Sequence, residues 1–356
     1  MVAPPAPIDT DAVIIGAGPV GLYQVFQLGL QDISAHVIDA LPYPGGQCVE
    51  LYPDKPIYDL PGLPVCTGRE LVERLLTQIR PMHATFHLDQ LVAQLNRLDD
   101  GRWLVGTSSG LQLRAPCVVI AAGVGAFVPR PLALDGIDAY LGRQLFYRVS
   151  DPAQFAGLDL VVTGGEEAAV EHALQHAEAG PAQARSVTLI HRRDNFRAPA
   201  PQLQRLHELC AAGRIRLVLG QISGYNRHAD GRLRTLSVAG RDGTPIEVPL
   251  DALLVQLGIS PKLGPLTEWG LALERKQLQV DPATCATSAA GVYAVGDINS
   301  YPGKKKLILC GFFEATLAAF AAARQLHPDE PHLLQYTTTS PRLHKILGIA
   351  TTASDD

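Results

Sequence analysis

The chain is poor in closely spaced cysteines. Its six cysteines stand at positions 48, 66, 117, 210, 285 and 310, and none forms a Cys-x-x-Cys with another. That spacing excludes a thioredoxin-type dithiol and a zinc ribbon. The expectation is six reduced, partly buried thiols. A dominant charge is also lacking: 30 Lys and Arg face 35 Asp and Glu, and a formal charge of −5 gives no global attraction to nucleic acid. No apolar run is long enough to span a membrane. The first residues, MVAPPAPIDTD, carry neither a basic n-region nor an apolar h-region. They read as a short disordered lead-in rather than a secretory leader, so the expected location is the cytoplasm.

What is present is bulk for two cores. The chain has 356 residues, 47% hydrophobic and 18% charged. That length exceeds one ordinary domain and predicts two, and the βαβ units that follow make the expected class α/β.

One stretch organises the first of them. Ala12 to Ile15 is a short apolar strand, followed by Gly16-Ala17-Gly18-Pro19-Val20-Gly21 and an amphipathic helix. A second apolar strand, Ala35 to Ile38, ends on Asp39. This is a dinucleotide fingerprint in its strand–turn–helix context. Gly16 makes the tight turn, Gly18 admits a pyrophosphate to the helix N-terminus, and Gly21 lets helix and strand pack closely. Asp39 is placed to accept a hydrogen bond from a ribose hydroxyl.

The loop LPYPGGQCVELYPDKPIYDLPGLP follows, too rich in glycine and proline for regular structure over most of its length and long enough to be functional. The spacing then predicts a helix over Gly68 to Arg80, a β-segment near Thr85 to Leu95, a hairpin turning at Asp99-Asp100-Gly101, and a buried strand CVVIAA from Cys117.

The opening pattern recurs at Leu158 to Val162. Here the turn reads Thr163-Gly164-Gly165-Glu166-Glu167-Ala168, with Thr163 read at the first glycine and Ala168 at the third. The next strand, Ser186 to Ile190, ends on His191-Arg192-Arg193 instead of a carboxylate, with Arg197 close behind. A carboxylate there would repel a 2′-phosphate, whereas arginines bind it through paired charge-assisted hydrogen bonds. The second unit therefore favours NADP, and the first an unphosphorylated ribose, as in FAD or NAD. Further on, GVYAVGDI delivers Gly296 and Asp297 to a strand end, and an alanine-rich helix follows over about Phe313 to Leu326.

In this order, GAGPVGL, GGQCVELYPDKPIYDLPG, VVIAAGVGAFVPR, HRRDNFRA and GVYAVGDI resemble the thioredoxin-reductase-like ferredoxin–NADP reductases, two-domain flavoproteins of the FAD/NAD(P) disulfide-reductase superfamily. The redox Cys-x-x-Cys of thioredoxin reductases is missing from GRQLFYRVSDPAQFAGLDLVVTGG. The resemblance implies two Rossmann-like three-layer nucleotide-binding domains, the NADPH domain inserted into a discontinuous FAD domain. FAD would bind residues 1–122 and 288–333, NADPH residues 123–287, and a tail of residues 334–356, starting near Leu334, would cover the flavin of the other subunit of a homodimer. It also implies roles. Gln47 would contact the flavin, Tyr52 stack on its ring, and the Val92 backbone meet adenine. Phe127 matches the family phenylalanine, and Asp297 would reach the ribityl region. In Tyr336-Thr337-Thr338-Thr339-Ser340, Thr338 would be the hydroxyl near the flavin, with Tyr336 or Thr337 on its outer face. Gly164, Gly165, His191, Arg192, Arg193 and Arg197 would hold NADPH.

The implied reaction is hydride from NADPH to flavin N5, then single electrons to ferredoxin or flavodoxin. Such partners are acidic, so Lys304, Lys305, Lys306, Arg342 and Lys345 are candidate docking cations. A cysteine-free flavoprotein reducing a quinone or a small disulfide is the rival enzyme. A flavin-binding sensor without turnover is the rival of another class, and its one support is Thr163.

Overall fold

The computed structural model describes residues 6–149, 151–178, 180–329 and 336–348. The chain divides into two compact units, residues 1–127 with 261–356, and residues 128–260.

The first unit is built on five short parallel strands in the order Val292–Ala294, Cys117–Ile120, Ala12–Ile15, Ala35–Ile38, Thr85–His87. The two innermost strands, AVII and CVVI, are apolar at every position because both faces of the sheet are covered. On one face lie the helices Pro19–Leu30, Gly68–Ile79 and Ile308–Leu326. Gly68–Ile79 starts on a capping box, in which Thr67 accepts from the Glu70 backbone while the Glu70 side chain accepts from the Thr67 backbone. The other face packs Val13, Ile15, Ile38, Val118 and Ile120 against Trp103, Val105 and Leu113 of a four-stranded sheet.

Three expectations are corrected here. The segment expected near Thr85 to Leu95 is two strands in two sheets, Thr85–His87 and Val92–Arg97. The alanine-rich helix begins earlier, at Ile308. The second seam falls at 260/261, because Leu266, Leu271 and Leu278 sit in the core with Val13 and Ile38.

The second unit has a seven-stranded sheet. Its order is Leu145–Phe146, Ala252–Val255, Asp159–Thr163, Ser186–His191, Ile215–Arg227, Leu233–Gly240, Pro245–Pro249. The first five strands are parallel and the last two antiparallel. Helices Glu167–Ala177 and Ala200–Ala211 cover one face. All six cysteines are free thiols, four of them buried. Among the described residues no helix is long and apolar enough to cross a membrane.

Candidate functional site

Parallel strands all end at one edge, and nucleotide sites form at that edge. In the first unit the backbone N–H of Gly16 donates to Ile38 O at 2.8 Å, closing the turn onto the neighbouring strand. Gly16 sits at φ +112°, and a Cβ there would overlap the carbonyl of Ala121. Gly21 is as constrained, since its Cβ would overlap Gly16 O. Gly18 meets nothing closer than Gly46 Cα at 3.9 Å, so its face is open to a ligand.

The functional loop packs directly on this turn. Gly45 N–H donates to Ala17 O at 2.9 Å, and a Cβ on Gly46 would lie 3.0 Å from Gly18 Cα. The two glycine pairs make a floor with no side chains. Asp39 closes one end, where its carboxylate accepts from Ala17 N–H and, at 2.8 Å, from Leu41 N–H.

Gly16, Gly18, Asp39, Gln47, Cys48, Tyr52, Val92, Phe127 and Asp297 all line this one cleft. Gln47 Nε2 donates to Asp297 Oδ2 at 3.2 Å across it. Tyr52 is half-buried, and burial pushes its phenol up, helped by the Cys48 thiol 3.5 Å away. It is a neutral, flat, largely apolar wall. Val92 and Phe127 are buried walls. A glycine floor, a carboxylate at one end, and an aromatic ring with an amide at the other fit an adenine dinucleotide carrying a flat ring.

The structure also shows what fixes Asp297, which sequence reasoning missed. Glu314, buried in the last long helix, accepts from Gly296 N–H at 2.7 Å, Asn299 Nδ2 at 2.9 Å and Tyr301 OH at 2.8 Å. Lys304 completes the set, pairing with Glu314 and donating to Gly296 O at 2.8 Å. The Lys304 side chain is 7% exposed and that of Glu314 is 1%. Lys304 is therefore corrected from docking cation to buried counter-ion. The available signal was a lone acidic residue within an otherwise apolar helix, FFEATLAAF.

The described part of the tail, residues 336–348, lies elsewhere on this unit. Thr338, with Thr337 and Leu343, lines a hollow against Tyr23, Phe26 and Gln27 of the Pro19–Leu30 helix, and Tyr336 is exposed. Thr338 is not brought to the cleft of its own chain. Leu334 and the Arg342 side chain lie outside the described residues.

In the second unit the register of the turn is corrected. Gly164 N–H donates to Ile190 O at 3.1 Å, as Gly16 does to Ile38. Thr163 pairs with Ile190 as Ile15 pairs with Ile38. A Cβ on Gly164 would overlap Gln256 O, the counterpart of the Gly16–Ala121 crowding. Thr163 is thus the last strand residue, not a substitute for the first glycine, and the sensor reading loses its support. Glu166 caps the helix at Gly18's place, and Ala169 rather than Ala168 takes the third glycine position.

By the same register His191 stands where Asp39 stands. A Cβ on Gly165 would overlap its imidazole, so Gly165 makes room for that ring. Burial, and then the charges of Arg192 and Arg193, hold the His191 imidazole below its ordinary value. Arg192 and Arg193 are exposed, while Arg197 pairs with Glu166 at 3.3 Å.

Two nucleotide turns, one ending in a carboxylate and one in a cationic cluster, define a flavoprotein oxidoreductase that takes a second, phosphorylated dinucleotide. Residues 10–318 match the pyridine nucleotide-disulphide oxidoreductase family, and the chain belongs to it. It is 55% identical over 349 residues to a ferredoxin–NADP reductase of Methylibium petroleiphilum, covering 98% of this chain and 95% of that one. It is equally similar to one of Albidiferax ferrireducens, covering 98% of each. A thioredoxin reductase structure from Gloeobacter violaceus shares the fold at 22% identity, with TM-score 0.56 over 92% of this chain and 98% of that one. FAD and NADPH are the cofactors of this family member.

Proposed function

We propose that the chain is an FAD-dependent ferredoxin–NADP oxidoreductase, cytoplasmic and homodimeric, that also serves flavodoxin. The observation that carries the reading is the exchange of Asp39 for His191 at one structural position in two turns of the same register. FAD takes the unit of Asp39, and NADPH takes the unit of His191.

When bound, FAD supplies the conversion of a hydride into single electrons, so no protein nucleophile is needed. The chain's residues do the placing. Asp39 accepts from the adenosine ribose, and Gly16 and Gly18 let the backbone reach the pyrophosphate. Gln47 and Asp297, joined across the cleft, position the flavin side. Tyr52, kept neutral by burial, offers its ring as a stacking face. The Glu314–Lys304 pair holds the Gly296–Asp297 turn rigid, so Asp297 keeps its aim. Val92 and Phe127 exclude water from the walls. Arg192, Arg193 and Arg197 select the 2′-phosphate. Thr338 and Tyr336, from the tail of a second copy, cover the ring.

Anaerobic mixing tests this. NADPH should bleach the flavin absorbance of the purified protein, and ferredoxin added next should restore it at a rate that supports turnover. Restoration by a quinone or a small disulfide but not by ferredoxin overturns the assignment.

A further inference from the structure

One hairpin near the cleft is strained and cationic. Leu273–Glu274 and Gln277–Gln279 pair antiparallel, with Glu274 opposite Gln277, leaving Arg275 and Lys276 as a two-residue loop. Both lie in the left-handed region, at φ +47° and +69°. A two-residue loop with positive φ at both positions is the place for Asn-Gly, where the strain is least. This chain instead keeps two long, exposed cations there. Strain held at two adjacent residues points to a use for their side chains.

Arg275 and Lys276 line one cavity with Lys262, Lys306, Gly123 and Asp297. Lys262 and Lys306 are exposed as well. Among the described residues none of these four cations makes an ion pair. Gly123, Asp297 and Lys306 also line the nucleotide cleft, so the cations stand at its mouth. The hairpin is tied to that mouth: Gln277 Nε2 donates to Asp297 O at 3.1 Å and to Asn299 O at 2.7 Å.

We propose that the Arg275-Lys276 hairpin, with Lys262 and Lys306, is the docking surface for an acidic electron-carrier protein. This rests on the ferredoxin reading above. Against a chain of formal charge −5, a local cationic rim supplies the complementarity that steers an acidic partner to the flavin end of the cleft.

Two double variants separate charge from strain: R275N/K276G removes both, and R275Q/K276Q removes charge alone. A purified acidic bacterial ferredoxin is titrated onto each oxidised enzyme without NADPH, across a salt series, and steady-state KM values are taken beside it. Both variants should weaken ferredoxin binding at least tenfold at low salt and flatten its salt dependence. KM for NADPH, with ferricyanide as acceptor, should stay within twofold. R275N/K276G alone should melt at a higher temperature than the parent. Unchanged ferredoxin affinity in both variants overturns the proposal. So does a rise confined to KM for NADPH, which would make the nucleotide the occupant. If the parent enzyme itself neither binds nor reduces ferredoxin, the acceptor reading has failed. An unaltered variant beside an active parent fails the docking surface alone.

Discussion

At the first turn a glycine backbone faces a carboxylate, Asp39, which is engaged by the N–H groups of Ala17 and Leu41. At the second, the same backbone geometry faces a histidine held neutral by burial and by two adjacent arginines. A Cβ added at Gly16 or Gly164 would overlap a carbonyl just past the neighbouring strand, that of Ala121 in one unit and of Gln256 in the other. The difference lies one step further along. Gly18 is open, whereas Glu166 occupies the corresponding cap and pairs with Arg197. The turn itself is thus a shared steric solution, and ligand choice is written into the residues around it. A carboxylate at the second cap also sets the unit against the anion it should receive.

The hardest way to break the comparison is through the shared part. At Gly16 a Cβ meets backbone, which cannot swing aside, and φ is +112°. Gly16→Ala should lose FAD on purification, leaving a colourless protein whose flavin content is below about a tenth of the parent's, an effect in the range of a disrupted special backbone position. Gly164→Ala should keep its flavin and lose NADPH turnover instead. Flavin content and the rate of flavin bleaching by NADPH read the two effects separately. Equal loss of flavin in both would deny the units their separate ligands.

The next largest effect is on coenzyme choice. Each charge-assisted bond to the 2′-phosphate is worth about 1.5–3 kcal/mol. Arg192→Ala with Arg193→Ala should therefore lower the NADPH-over-NADH ratio in kcat/KM by at least about tenfold. A ratio that does not move would place the 2′-phosphate elsewhere.

These contrasts are partly legible in the amino-acid sequence. The first turn is readable because apolar strand, glycines, helix and Asp39 occur in sequence, and local signals agree. The cationic end of the second is readable because His191-Arg192-Arg193 closes an apolar strand. The register of the second turn is not. Thr163 is β-branched and fits a strand end as well as a turn start, and only its pairing with Ile190 decides. Glu314 is illegible for another reason. Its four donors come from positions 296 to 304, and a helix sequence does not say what packs against it. Lys304 looks like its two neighbours in a KKK run, yet it alone turns inward.

Glu166 offers a sharper and smaller test. It is exposed enough to be screened, so its repulsion of a pyrophosphate is worth about 1 kcal/mol rather than several. Its pairing also occupies Arg197. Glu166→Gly, which restores the glycine of the first turn, should lower KM for NADPH about five- to tenfold with kcat little changed. Flavin content should be unaffected. A raised KM would mean that the Glu166–Arg197 pair holds the loop in its binding shape.

The smallest effect is a pH dependence that only the second turn should show. His191 is held below the ordinary histidine value of 6.5 by burial first and by Arg192 and Arg193 second, so the free enzyme carries it neutral near pH 7. A bound 2′-phosphate reverses the local balance of charge and raises its affinity for a proton. Binding then takes up a proton, so NADPH affinity should be flat at high pH where His191 is neutral free and bound, strengthen as pH falls through the raised value of the bound form, and level off only below the lower value of the free enzyme. The phosphate titrates in the same region, with a pKa of about 6, so the comparison must be internal. His191→Asn should flatten the slope by about one proton's worth while NADH, which lacks the phosphate, shows no slope with either enzyme. Asp39 at the first turn has no such group, so flavin retention should not follow this slope. A slope that survives in His191→Asn would assign the proton to the phosphate alone and leave His191 a spacer that Gly165 makes room for.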